Sequence, residues 1–270
     1  MSAPTTGQPL GHALDLSGTR SLPFGRLVKV ELRKTYDTRA GRWLLICMGL
    51  LTALVMGIQL AVVVVQDISV GYRDFMTSTS FSIAILLPIL GILLLTSEWG
   101  QRTAMVTFTL EPRRPRVIAA KLVVGAVLAL ASVVVALFLG ASCNLLYGAL
   151  EGVSPEWDLS VLLVLSFLLL QVLGILTGFA LAALLLNSAA AIVIYMVYSF
   201  VLPGLFELGA NLIGWFKDLR PWIDFNLAQA PLVDASMTGK DWAHFAVSGV
   251  VWLVLPLTIG LWRVLRAEVK

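Results

Sequence analysis

EWGQRTAMVTFTLEPRRPRVIAAK, residues 98–121, is a charged interruption between two long apolar runs. It holds five basic residues (Arg102, Arg113, Arg114, Arg116, Lys121) and two acids (Glu98, Glu111). No other stretch of the chain interior is so charged. A basic loop between membrane spans is retained on the cytoplasmic side, because Lys and Arg near a span resist translocation. The segment is also longer and more patterned than a topology signal needs. The apolar stretch Met105–Leu110 sits in its middle, so the segment reads as a place where a cytosolic partner takes hold.

The rest of the chain agrees with a membrane reading. Hydrophobic residues make up 59% and charged residues 13%, against about 25% charged in a soluble domain. Mean hydropathy is +0.91. The net charge of +3 and pI near 9.0 do not point to nucleic acid, because the cations cluster beside the apolar runs.

A spanning helix needs about 20 apolar residues, and six segments qualify. They are Trp43–Val65, Thr79–Ser97, Leu122–Leu146, Leu159–Leu186, Ala189–Leu208 and Phe245–Val264. The expected fold is therefore an all-α integral membrane protein. Residues 1–22, rich in Ser, Thr, Gly and Pro and lacking a signal-peptide core, read as a mobile cytosolic tail; residues 23–42 as an interfacial helix; residues 43–270 as the six-helix domain.

Lys and Arg set the orientation. Seven precede the first span, five lie between spans two and three, and three follow the last span, giving fifteen on one side. Arg73, Lys217, Arg220 and Lys240 make four on the other, where the loops are acidic. Both termini are expected in the cytoplasm of a cell with a plasma membrane.

Two regions outside the spans carry pattern. In Phe24–Gly41, Val28, Leu32 and Tyr36 recur at helical spacing beside Leu27, while Arg26, Lys29, Arg33 and Lys34 fall elsewhere around the helix. This is an amphipathic basic helix suited to the membrane interface; a juxtamembrane anchor without a partner is the plainer reading. Between spans five and six, residues 209–244 carry Trp215, Phe216, Trp222, Phe225 and Trp242 among Gly and Pro breaks. Interfacial aromatics favour short helices dipping into the outer leaflet.

Within the spans, Gly49, Ala53 and Gly57 share one face of the first, and Gly174 and Gly178 form a small-xxx-small pair in the fourth. Such faces pack backbones closely, inside one subunit or between two. Gln59, Tyr195 and Tyr198 are interhelical hydrogen-bond partners or, if the spans surround a path, its lining. Pro88 and Pro203 are expected to kink their helices, with a break at Pro203-Gly204. Cys47 and Cys143 fall near opposite membrane faces, so no disulfide is expected between them.

No phosphate loop G-x-x-x-x-G-K-[ST] occurs, nor H-E-x-x-H, nor a Cys/His cluster suited to a metal. The chain is not expected to be an enzyme or to bind a cofactor itself. Charged residues deep in the spans are also missing, which argues against a proton relay or voltage sensor.

On the segment quoted first, the chain resembles the permease subunits of type-2 ATP-binding-cassette (ABC) exporters. Their loop runs from an acid ending the second span, through a Gly-Thr step and an apolar stretch, to Pro-Arg-Arg and a Lys opening the third span. Here those positions are Glu98, Arg102-Thr103, Met105–Leu110, Pro112-Arg113-Arg114 and Lys121, with Arg116 alongside; Arg102 stands where the family has glycine. The basic first helix, the six spans and the insertion before the last span extend the likeness. The resemblance implies a short coupling helix docked on a separate cytosolic ATPase subunit, braced by the basic helix bearing Arg26, Lys29, Arg33 and Lys34. ATP and Mg would be held by that partner. It also implies a second permease, identical or paralogous, meeting this one along the Gly49, Ala53, Gly57 seam. The apolar spans with scattered amides and hydroxyls suit amphipathic cargo such as drugs, peptides or lipids. Two other functions fit the same spans: a stand-alone six-span channel or secondary carrier, and a non-transporting membrane scaffold.

Overall fold

The computed structural model describes residues 22–101 and 103–266, without the side chains of Ala104 and Phe108. Most of the expected N-terminal tail and Arg102 lie outside the described residues. The described chain is all helix, with no strand. Six helical stretches are long and apolar enough to cross a membrane: Arg39–Gln66, Tyr72–Gly100, Arg114–Glu151, Val161–Leu185, Ser188–Leu212 and Gly239–Arg266. This is the architecture of a multi-pass membrane protein.

The chain opens with α1 (Phe24–Asp37), which turns at Thr38 into the first span, α2 (Arg39–Gln66). The elbow thus falls four residues earlier than the apolar run beginning at Trp43 suggests. Thr38 is extended (φ −72°, ψ 142°), and its hydroxyl accepts the Gly41 N–H at 3.2 Å. Such a cap satisfies one of the four orphan donors at a helix start. Gly41 is needed at this bend: a Cβ there would overlap the Thr35 carbonyl of α1.

The second span is α3 (Tyr72–Ser78) running into α4 (Ser80–Gly100). A short helix, α5 (Ala104–Leu110), then precedes the long α6 (Arg114–Glu151). The charged segment 98–121 is therefore mostly helical. Its last eight residues already belong to the third span, with Pro115 in the first turn, where a missing N–H is harmless. α7 (Val161–Leu185) and α8 (Ser188–Met196) form a tight hairpin. Leu186 is left-handed (φ 52°), and Asn187 caps α8 by accepting the Ala190 N–H at 3.1 Å. α9 (Leu202–Leu212) completes the fifth span, α10 (Gly214–Ile223) and α11 (Phe225–Val233) form the helical insertion, and α12 (Gly239–Gly249) with α13 (Leu255–Arg266) form the sixth span.

The second span is the centre of the bundle, with 61% of its apolar window buried against 17% for the first, fifth and sixth spans. It crosses α7 at a small-residue contact, where a Cβ on Gly178 would overlap the Pro88 carbonyl. Lipid is as apolar as a leucine side chain, so close backbone approach rather than hydrophobic exclusion draws spans together. The Gly174–Gly178 pair is accordingly a packing face inside the chain.

The prolines act locally. Pro88 has no N–H to give the Ala84 carbonyl four residues back. That orphan carbonyl is taken by the Tyr195 hydroxyl of α8 at 2.5 Å. The expected break at Pro203-Gly204 does not occur. Instead the helix widens by one residue over Val197–Val201 and continues. The sixth span repeats the device over Val250–Val254. Both widened turns are followed by Leu-Pro (Leu202-Pro203, Leu255-Pro256). An α-turn would drive the proline ring into the carbonyl four residues back; a π-turn moves that carbonyl aside. Tyr198 and Trp252 face each other from the two widened turns at 5.3 Å between ring centroids. Cys47 and Cys143 are both free thiols.

Candidate functional site

Four elements meet at the end of the bundle that carries α5, and they meet through charge. Leu27, Glu31 and Thr35 of α1 recur at i, i+4, i+8 and are buried against the bundle. This stripe lies one position away from the apolar one read in the sequence. Val28 and Leu32 are half-buried beside it, and Tyr36 is exposed. The buried stripe carries a carboxylate at its centre, and Glu31 is only 1% exposed.

Glu31 is held by two ammonium groups. Lys34, one turn on, donates to its Oε1 at 2.6 Å, and Lys121 of α6 donates to its Oε2 at 2.6 Å. Lys34 also donates to Oε1 of Glu98, at the end of α4, at 2.6 Å. Lys121 lies 3.5 Å from the same oxygen and donates to the Leu94 carbonyl at 3.0 Å. Finally, the Thr107 hydroxyl of α5 donates to Glu98 Oε1 at 3.0 Å. Two carboxylates and two ammoniums cancel in net charge, and every member has charge-assisted hydrogen bonds, so burial is tolerated. Burial alone would lower the Lys34 ammonium; its hydrogen bonds to Glu31 and Glu98 outweigh this and hold it above the ordinary lysine value.

Around this neutral knot lie the other residues named for coupling. Arg116 pairs with Glu111 at 2.8 Å and donates to the Leu22 carbonyl at 2.8 Å, tying the start of α6 to the start of α1. Arg114 donates to the Val264 and Leu265 carbonyls at 3.3 and 3.2 Å. A cation there complements the orphan carbonyls and negative dipole end of α13. Arg113 and Pro112 are exposed. Thr103 is exposed and begins α5, its N–H donating to the Glu98 carbonyl at 2.9 Å.

Among the described side chains of α5, Thr107 is the one that bonds to the ion network, and three apolar ones are largely uncovered. Met105 is 60% exposed, Val106 58% and Leu110 71%. Between α1 and α5 opens a cleft of about 470 Å³, its walls including Leu22, Leu27, Val30, Val106 and Leu110, with Arg26 among its lining residues. Lys29 and Arg33 are exposed on α1, Arg33 pairing with Asp37 at 2.8 Å. The arrangement is thus an outward apolar tab rimmed by cations, rooted in a buried ion network that spans α1, α4 and α6.

The remaining predicted residues lie elsewhere. Gly49, Ala53 and Gly57 are exposed on α2, and no atom of another element comes within 4 Å of where a Cβ on Gly49 or Gly57 would sit. Leu50, Leu54 and Ile58 flank them, also exposed. Gln59 bridges α2 to α3, donating to the Asp74 carbonyl at 3.3 Å. Tyr195 and Tyr198 are in the fifth span, so the structure does not bring the three polar residues together. Sequence reasoning missed Glu31 as a site residue. Its signal was present: it is the one acid in Phe24–Tyr36, three residues before Lys34 on a helix. No group of three or more His, Cys, Asp and Glu suited to a metal occurs among the described residues. Comparison with protein-family models, with curated proteins and with solved structures finds no match for this chain.

Proposed function

We propose that this chain is the membrane-spanning permease subunit of an ATP-driven exporter of the type-2 ABC class. The observation that carries the reading is α5: a short helix with exposed Met105, Val106 and Leu110, linked through Thr107 and Glu98 to α1, α4 and α6 at once. A partner that grips α5 pulls on one buried node, and three helices are bound to that node. The excess of cations at this end supports a cytoplasmic side for it, where an ATPase with an acidic, apolar-floored groove would meet it. ATP-driven closure of two such ATPases would shift the permeases between accessible states. The uncovered stripe of Gly49, Ala53 and Gly57, flanked by apolar side chains, suits the seam with a second permease. The cargo is amphipathic.

The test is co-purification of the tagged chain from its own host, with P-loop ATPases identified by mass and by ATP hydrolysis. Arg114 is committed to α13, so the informative variant is Val106→Asp with Arg113→Glu, both exposed. It should lose the ATPase while keeping membrane insertion and melting temperature. Retention of the ATPase by that variant would overturn the coupling role. A wild-type protein that purifies alone and transports without ATP would overturn the exporter reading itself.

A further inference from the structure

A second cleft, of about 200 Å³, lies in the half of the bundle remote from α5. It is bounded by α4, α7, the widened turn of the fifth span, and α11. Its polar lining is Ser80, Gln171, Thr177, Ser199, Asn226 and Gln229, with the hydroxyls of Tyr195 and Tyr198. None carries a charge.

The hydrogen-bonding capacity of this lining is largely unspent. Gln171 is 4% exposed, yet its amide bonds to no described residue. Asn226 uses its N–H to reach the Tyr198 carbonyl at 3.4 Å, and Gln229 uses its own to reach the Phe225 carbonyl at 3.0 Å. Their amide oxygens stay free. A buried amide without a partner costs free energy, and buried polar groups in folded proteins are otherwise satisfied. Three amide carbonyls from two separate elements, beside the unspent Gln171 N–H groups and the unpartnered Tyr198 hydroxyl, give the cleft free acceptors and free donors. It suits a neutral group that both donates and accepts hydrogen bonds.

The walls decide the rest. A cation would leave water for a site with no carboxylate in its lining, at a cost of several kcal/mol. A whole drug-sized ligand needs roughly 300 Å³ or more, which exceeds the cleft. Ala84 and Val233 in the lining are exposed, so the mouth opens through apolar side chains on the flank of the bundle. Pro88 lies eight residues into α4 from Ser80, so the cleft descends about 12 Å along the span. An occupant therefore enters from the bilayer side, headgroup first, with its chain left outside.

We propose that this cleft binds the uncharged, hydroxyl- or amide-bearing headgroup of an amphipathic molecule, with Gln171 as its principal contact. The proposal does not depend on the exporter reading, because binding is measured on the chain alone.

The experiment uses the full chain in phosphatidylcholine nanodiscs, with empty nanodiscs subtracted. Radiolabelled octyl β-glucoside, below its micellar concentration, is the probe. Octyltrimethylammonium and octyl sulfate carry the same chain with charged heads, and free glucose carries the head without a chain. Octyl glucoside should bind saturably at about one molecule per chain, uncompeted by the charged octyl compounds. Gln171→Leu, close in volume, should weaken it about tenfold or more, and Gln229→Leu should also weaken it. Gln59→Leu, an amide outside the cleft, should not. Absence of saturable binding, equal competition by a charged head, or wild-type affinity in both Gln171→Leu and Gln229→Leu would each overturn the proposal. Binding of free glucose as tight as octyl glucoside would overturn its amphiphile part. If Gln171→Leu does not fold, Gln229→Leu decides.

Discussion

Replacing Lys121 by Met should be among the most damaging single changes in this chain. The ammonium holds Glu31 at 2.6 Å and the Leu94 carbonyl at 3.0 Å, with Glu98 at 3.5 Å. Methionine keeps the bulk and removes every one of these contacts. Two carboxylates, 1% and 4% exposed, would then share one ammonium, that of Lys34. Removing one partner of a buried ion pair costs about 3–5 kcal/mol. Lys34 is 36% exposed at its side chain and can bring water with it, which puts the expected loss near 3 kcal/mol. Reversible unfolding of the purified protein in mixed micelles is the assay. The second variant, Lys121→Met with Glu31→Leu, removes one charge of each sign and leaves Lys34 paired with Glu98. Its loss should fall well below the sum of the two single losses, giving a coupling of about 1.5 kcal/mol or more. A Lys121→Met loss under about 1 kcal/mol, the range of exposed pairs, would refute the claim that the network is a buried structural node. Additive single losses would refute the claim that Glu31 and Lys121 act as a pair.

Other outcomes follow from the same geometry. The raised Lys34 ammonium implies stabilisation fully present below its ordinary value of 10.5 and lost as pH climbs through the higher folded value. The melting gap between wild type and Lys34→Met should thus be constant from about pH 7 to pH 9 and shrink only above pH 10.5; a gap that closes below about pH 9 would contradict the ion pairing. Tyr195→Phe orphans the Ala84 carbonyl and should cost about 1–3 kcal/mol. Adding Pro88→Ala restores the missing N–H and should recover much of that loss; an unchanged or larger loss in the double variant would reject the proline account. Gly178→Ala should force α4 and α7 apart at about 1–3 kcal/mol, whereas Gly49→Ala meets open space in the single chain and, measured on the monomer in detergent, should be neutral or stabilising by up to about 1 kcal/mol. Equal thermal shifts for the two would show that the α4–α7 crossing is not close-packed.

The parts of this protein that depend on local pattern were legible before any coordinates. Six apolar runs of spanning length correspond to six helices long and apolar enough to cross a membrane. The aromatic, proline-broken stretch before the last span is helical. What failed locally did so where the backbone had an alternative. Pro203 was read as a break, but the helix absorbs it by widening one turn upstream. The interfacial helix was expected to run to residue 42, because the apolar run begins at Trp43; the cap at Thr38 ends it earlier.

Hydropathy and charge counts are sums over neighbours, and they determined class, the six spans and the unusual segment 98–121. They could not say which charges face inward. Lys121 and Glu98 look like the rim of a loop in the sequence and are buried in the structure, since each has a partner on a different helix. Glu31 looked incidental among six cations and is the centre of the knot, because residue 121, ninety positions away, is folded against it. Ion pairing is decided by distances between helices that are remote in sequence, and only the tertiary packing sets those distances.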